Sequence, residues 1–227
     1  MRSNTSRLAL YLALLLIPFG STSFAAEELS YLEATDSREV AIDWRIDQGE
    51  KITYFTCTKD NGQAYTSRYD DALAVIEWHF KDPAVKTDIV ATRKKNAIFV
   101  KGTFHGEAVD TKIPIDKDPW YQTLSFSLPS LMRSGRSSTT FWALRTDTLS
   151  PHKMRATKRR EETILIQGEK VETQNIRVKL TGFKAMFWHS DYWFRSPDGL
   201  FLKYKGVEGP PGTPETVMTL VSRLPQG

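Results

Sequence analysis

The four histidines, His79, His105, His152 and His189, are the residues in this 227-residue chain best suited to metal ligation or proton transfer. None stands in His-x-His or His-Glu-x-x-His spacing, so no pair is pre-set on one strand or helix face for a metal. His79 and His189 each follow a tryptophan, and in a strand each would point to the face opposite that ring. The spacing predicts ordinary surface or interstrand histidines and no metal or other cofactor. Cys57 is the only cysteine. It excludes an intrachain disulfide, and its place in a β-branched, aromatic run predicts a small buried hydrophobe rather than a reactive thiol. There is no Gly-x-Ser-x-Gly elbow, and the acids are scattered along strand faces, so no nucleophile or carboxylate pair can be nominated. The chain is expected not to be an enzyme; a site assembled in space from distant residues is the alternative.

Anion chemistry is no better marked. Gly209-Pro210-Pro211-Gly212-Thr213-Pro214 lacks a Gly-Lys-Ser/Thr ending, and its prolines remove the N–H groups that would cradle a phosphate. Residues 133–160 hold eight Lys/Arg against Asp147 alone, whereas residues 26–50 hold eight acids against Arg38 and Arg45. Within the basic stretch, Lys153, Arg155, Arg159 and Arg160 are the candidates for contact with an acidic partner or anionic lipid headgroups. Solvated charges guarding a strand against aggregation are the plainer explanation.

Aromatic residues carry more information. Trp78, Phe80, Phe104, Phe141, Trp142, Phe187, Trp188, Trp193 and Phe201 recur strand after strand. In a sheet curled into an open barrel, inward rings either fill the core or line a cavity for an apolar ligand. The candidate lining is Ile76, Trp78, Phe80, Val100, Phe104, Trp142, Ile176, Val178, Leu180 and Trp188.

Strands must position these groups, because period-two alternation broken by turn residues dominates the chain. Val40, Ile42, Trp44 and Ile46 alternate with Ala41, Asp43, Arg45 and Asp47. Runs at 51–58, 63–69, 73–80, 86–93, 97–104 and 107–115 continue a meander, with Asp60-Asn61-Gly62 as a hairpin turn. Further runs cover 139–146, 153–166, 170–182, 185–195, 200–205 and 215–223, with Ser196-Pro197-Asp198-Gly199 as another turn. Between them, apolar residues at 120, 121, 124, 128, 131 and 132 approach helical spacing. Pro119 suits a first helical turn and Pro129 a break or kink, so one or two short helices are expected at 119–132. The fold class expected is mainly β: roughly a dozen strands in a highly curved antiparallel sheet, or incomplete barrel, with the helices on its concave side.

The N-terminus has the parts of a cleavable signal peptide. Arg2 and Arg7 precede the apolar stretch Leu8–Phe19, and the small residues Ser23 and Ala25 stand at the positions a signal peptidase reads before Ala26. Twelve apolar residues are too few to span a bilayer, which takes about 20. Residues 1–25 are therefore expected to be removed, leaving 26–227 as one domain with no stable transmembrane anchor. Loss of the two arginines lowers the net charge from +4 to +2. Export, to the periplasm in a bacterial envelope or otherwise to the outside, argues against nucleic acid as a partner.

The segment Glu162–Thr173, with its Gln167-Gly168 turn, leads through Ile176–Leu180 to Phe187-Trp188-His189-Ser190-Asp191, then to Tyr192–Arg195 and the turn at Ser196–Gly199. This succession resembles the second half of exported bacterial domains of unknown function near the LolA-like lipoprotein-carrier fold. The resemblance implies an incomplete barrel covered by helices, and carrier members of that fold bind acyl chains inside. It transfers no ligand-contacting residue to a position here. The readings in order are a non-catalytic envelope protein binding a lipidic or amphipathic ligand in the concave face, an envelope interaction scaffold with a filled core, and an enzyme.

Overall fold

A computed structural model describes residues 26–182, 188–207 and 212–223. The signal-peptide expectation, Phe187 and residues 208–211 of the Gly/Pro-rich loop lie outside these residues.

Among the described residues, fourteen antiparallel strands form one open sheet. The N-terminal meander comprises β1 (Glu27–Thr35), β2 (Arg38–Gln48), β3 (Thr53–Lys59), β4 (Ala64–Tyr69), β5 (Val75–Asp82), β6 (Thr87–Lys94), β7 (Ala97–Phe104) and β8 (Glu107–Pro114). The C-terminal meander comprises β9 (Ser138–Leu144), β10 (Pro151–Ile166), β11 (Glu169–Leu180), β12 (His189–Arg195), β13 (Phe201–Val207) and β14 (Glu215–Arg223). The spatial order runs from β8 back to β1, then from β14 back to β9. The first and last strands therefore pair at the centre, from Leu29 opposite Arg223 to Thr35 opposite Thr216. Among the described residues no helix is long and apolar enough to cross a membrane.

Local chemistry explains most strands. In β2 the four alternating apolar residues are buried, while Ala41, Asp43 and Arg45 between them are exposed. At the β3–β4 turn Gly62 takes φ +87°, Asn61 Oδ1 accepts from the Gln63 N–H, and Lys59 N–H bonds to the Gln63 carbonyl. Gly199 takes φ +74° at the β12–β13 turn, where Asp198 is ion-paired to Arg195. Strand β1 was not expected. Leu29 and Tyr31 are buried, but Leu32 interrupts the alternation and Glu33 follows on the inward side, so the residues resemble an acidic leader.

The sheet is strongly curved. Strands β2 and β13 are three places apart, about 14 Å in a flat sheet. Trp44 of β2 nevertheless stacks on Phe201 of β13 with ring centroids 5.6 Å apart. Gly102 of β7 allows a close approach to β6. Its φ is +134°, and a Cβ there would lie 2.2 Å from the Asp88 carbonyl oxygen. Gly102→Ala is expected to destabilise the protein by at least about 2 kcal/mol, measured as a lower denaturant midpoint.

Residues 115–137 connect the two outer edges, β8 and β9. Helical structure begins later than expected, with α1 (Leu124–Ser127) and α2 (Pro129–Arg133). Pro119 opens no helix, because residues 119–121 are committed to β9. Trp142 N–H bonds to the Pro119 carbonyl and Tyr121 N–H to the Trp142 carbonyl, each at 2.8 Å. On the other side Val75 N–H bonds to the Trp120 carbonyl at 2.8 Å. This strap links the start of β5 to β9 across the open side. Pro129 opens α2, where its missing N–H costs nothing. Phe126 packs against the inward residues Tyr69 and Phe55, with ring centroids 4.6 and 5.0 Å apart, which seats the helical turns on the concave side.

Candidate functional site

Side chains from both meanders leave a cavity of about 570 Å³ on the concave side. One wall is aromatic: Trp78 and Phe80 of β5 stack with centroids 5.1 Å apart at 9°, and Tyr65 of β4 stands beside them. The opposite wall holds Met154 of β10, Leu180 of β11 and Trp188. Tyr192 of β12, Phe201 and Tyr204 of β13 and Met218 of β14 complete it. Leu124, at the start of α1, reaches the same space. Trp188 donates its indole N–H to the Val207 carbonyl at 2.5 Å, leaving the ring as an apolar surface.

Of the ten proposed lining residues, Trp78, Phe80, Leu180 and Trp188 border this cavity. Val100, Ile176 and Val178 are fully buried in the packed core instead. Phe104 is half-buried near the β7–β8 turn, its ring edge-on to His105. Ile76 falls at a bulge: Val75 pairs with Tyr69 and Glu77 with Arg68, so Val75 takes the buried position. Trp142 faces the other side of β9 from Phe141. Its indole N–H donates to Asp116 Oδ1 at 2.8 Å, and Lys153 Nζ lies 5.5 Å from the ring centroid. Tyr65, Met154, Tyr204 and Met218 were missed. Met154 alternates with Lys153 and Arg155, which signals an inward position, but charge dominates that stretch.

Charged and amide groups on the lining are paired within the wall. Lys59 Nζ lies 2.9 and 3.2 Å from the Glu33 carboxylate oxygens, with both side chains only 15% exposed. Arg145 Nε donates to Asp147 Oδ1 at 2.7 Å. Gln63 donates to Asp82 Oδ2 at 2.6 Å, and Gln122 donates to the Leu144 carbonyl at 2.8 Å.

Cys57 is fully buried, and burial pushes its thiol up to about 11, far from a usable thiolate. Burial likewise raises the Tyr65 hydroxyl well above its ordinary value. The His79–Asp88 pair, 2.7 Å apart, is exposed and outside the cavity lining. Among the described residues no group of three or more His, Cys, Asp or Glu is placed to hold a metal ion.

The four basic candidates differ. Lys153 is clamped by Asp116 and by Asp118 at 2.9 Å. Arg160 pairs with Glu162 at 3.0 Å. Arg155 is exposed and stands opposite Lys179 on β11, while Arg159 is exposed in the bulge between Lys158 and Glu161. The hydrogen bond from Lys153, reinforced by Trp142, holds the Asp116 carboxyl well below the usual carboxylate range. A depressed carboxyl stabilises the fold above its unfolded value, near 4, and that contribution disappears as the pH falls through the folded value. The melting-temperature gap between wild type and Lys153→Met is therefore expected to be widest above about pH 5 and to close on acidification below about pH 4. Thermal melts across that range check it.

Neither a family model nor a curated protein matches the chain. Solved structures do. A β-barrel-like protein of a domain of unknown function (DUF1849) from Brucella abortus superposes with a TM-score of 0.61 at 9% identity, covering 88% of this chain and 97% of that one. A hypothetical lipoprotein, YmcC, from Escherichia coli matches at 0.40 and 12% identity over 88% and 85% of the two chains. A LolA superfamily protein from Nitrosomonas europaea matches at 0.27 and 10% over 88% and 87%. The likeness to the Brucella protein is one of fold: the chain is an open, strongly curved antiparallel half-barrel, as its resemblance to exported LolA-like domains implied.

Proposed function

We propose that this protein is a non-catalytic envelope protein that holds a lipidic or amphipathic ligand in the concave face of its sheet. The observation carrying this reading is the cavity of about 570 Å³ bordered by Tyr65, Trp78, Phe80, Leu180, Trp188 and Phe201. Its volume lies within the range of small-molecule sites, and its lining sets polar side chains such as Gln63, Gln122 and His152 beside the aromatic wall, as an amphipathic ligand requires. Export by the N-terminal segment would place the protein where lipids are its neighbours. Native mass spectrometry of protein purified from membranes tests the reading. Retained lipid mass, removed by extraction and restored by adding fatty-acyl compounds, is expected. Protein that leaves without lipid and ignores acyl probes contradicts it.

A second reading, an envelope interaction scaffold, rests on the outer face. Arg155 and Lys179 are exposed, directly opposite one another, and without a counter-ion among the described residues. Like charges so placed disfavour the sheet unless an acidic surface covers them. Reversing the charges at Arg155, Arg159 and Arg160 is expected to abolish co-isolation of a protein partner; unchanged recovery removes this reading.

A further inference from the structure

The polar groups of the cavity suggest which amphiphile it accepts. A site built for a fatty-acid anion presents a cation with spare hydrogen bonds inside an apolar pocket. Here each lysine or arginine on the lining already has its carboxylate: Lys59 has Glu33, and Arg145 has Asp147. The Glu33–Lys59 pair is the deeper of the two by side-chain exposure, at 15% for each partner against 41% and 54%. Separating a buried pair to recruit one partner leaves the other charge desolvated and unmatched, which is strongly unfavourable. An incoming carboxylate would also approach Glu33 as it approached Lys59.

Behind the lining the balance is negative. The Gln63 amide bonds to Asp82, whose side chain also caps the turn at Ala84. Asp82 is 6% exposed and has no cationic partner among the described residues. This carboxylate, one hydrogen bond behind the lining residue Gln63, disfavours an anion. An uncharged polar head, by contrast, meets the Gln63 amide and the Ser125 and Thr146 hydroxyls on the lining without separating an ion pair.

We infer that the cavity selects an amphiphile whose head is uncharged, an acylglycerol-like lipid rather than a free fatty-acid anion. This rests on the lipid-binding reading above and specifies its ligand class. Selection arises from charge cancellation within the wall, so it persists when salt screens exposed charges.

Competition against a neutral fluorophore, N-phenylnaphthylamine, tests it on the mature chain with two ligands of equal acyl length, palmitate and monopalmitoylglycerol. At about pH 8, above the ordinary imidazole range, monopalmitoylglycerol is expected to displace the probe at about tenfold lower concentration than palmitate. That ratio should hold between about 50 and about 500 mM salt. Glu33→Gln leaves the Lys59 ammonium uncompensated and should strengthen palmitate binding about fivefold or more, without strengthening monopalmitoylglycerol binding. The double variant Glu33→Gln/Lys59→Gln keeps a hydrogen-bonding pair with no charge. It should retain the wild-type preference even if the single variant folds poorly. Palmitate binding as tightly as monopalmitoylglycerol to wild type overturns the selection while leaving lipid binding intact. Failure of the fluorophore and both lipids to bind overturns the lipid-binding reading and the selection with it.

Discussion

Trp44→Ala is expected to destabilise the protein by about 3–5 kcal/mol, as for other large-to-small changes at packed aromatic positions. Trp44 is 3% exposed, and its ring lies 4.3 Å from Tyr31, 5.1 Å from Phe55 and 5.6 Å from Phe201, centroid to centroid. These rings come from β1, β3 and β13, so one side chain joins the N-terminal meander to the C-terminal one across the β1–β14 seam. Tyr31 reinforces the join by donating its hydroxyl to the Phe201 carbonyl at 3.1 Å. Removing the indole leaves a void that three strands cannot fill without changing the curvature. Urea unfolding monitored by far-UV circular dichroism checks the result. A lower midpoint with an unchanged slope is expected; a midpoint within experimental error of wild type would show that the seam does not depend on this ring.

Ala143→Trp is expected to weaken binding of an acyl fluorophore at least about tenfold while leaving the melting temperature close to wild type. Ala143 is a small lining residue on the outermost strand β9, beside Leu144, paired with His152 of β10 and on the same wall as Met154 and Leu180. An indole placed there takes space a ligand would occupy, and it does so in an existing void rather than in packed core. Overpacking strain is therefore avoided. Val90→Trp on the exposed outer face is the matched control and should bind as wild type does. Equal affinity in the two variants would mean that the ligand does not enter the cavity.

The pKa directions around Asp116 bear on the same edge of the molecule. The Lys153 clamp, the Trp142 indole, the Pro119 carbonyl and the Tyr121 N–H hold β9 and the neighbouring start of β10 against the connecting segment. Because β9 is an edge strand with only β10 as a regular neighbour, these contacts decide how firmly the open side is covered.

Much of this protein could be read from its residues in order. Alternating burial in β2, the Asn61-Gly62 and Asp198-Gly199 turns, and the apolar central interruption are local properties. Neighbouring residues are enough to specify them. The curved, mainly β architecture followed from counting such segments. Four members of the eventual cavity lining, Trp78, Phe80, Leu180 and Trp188, were visible as inward rings and aliphatics on alternating strands.

Other features needed contacts between residues far apart in the chain. Pairing of β1 with β14 joins positions nearly two hundred residues apart, and no local pattern encodes it. A single bulge between Arg68 and Tyr69 exchanges Val75 for Ile76 on the buried face, because alternation reverses wherever one residue is added. Trp142 has the character of a core residue, yet Asp116 from the connecting segment and Lys153 from β10 hold it on the opposite side. The Glu33–Lys59 pair is likewise a tertiary event, since each alone looks like a solvated charge. Local alternation dictates which residues share a face of one strand; only the order and curvature of all fourteen strands decide which face encloses space, and what charge that space contains.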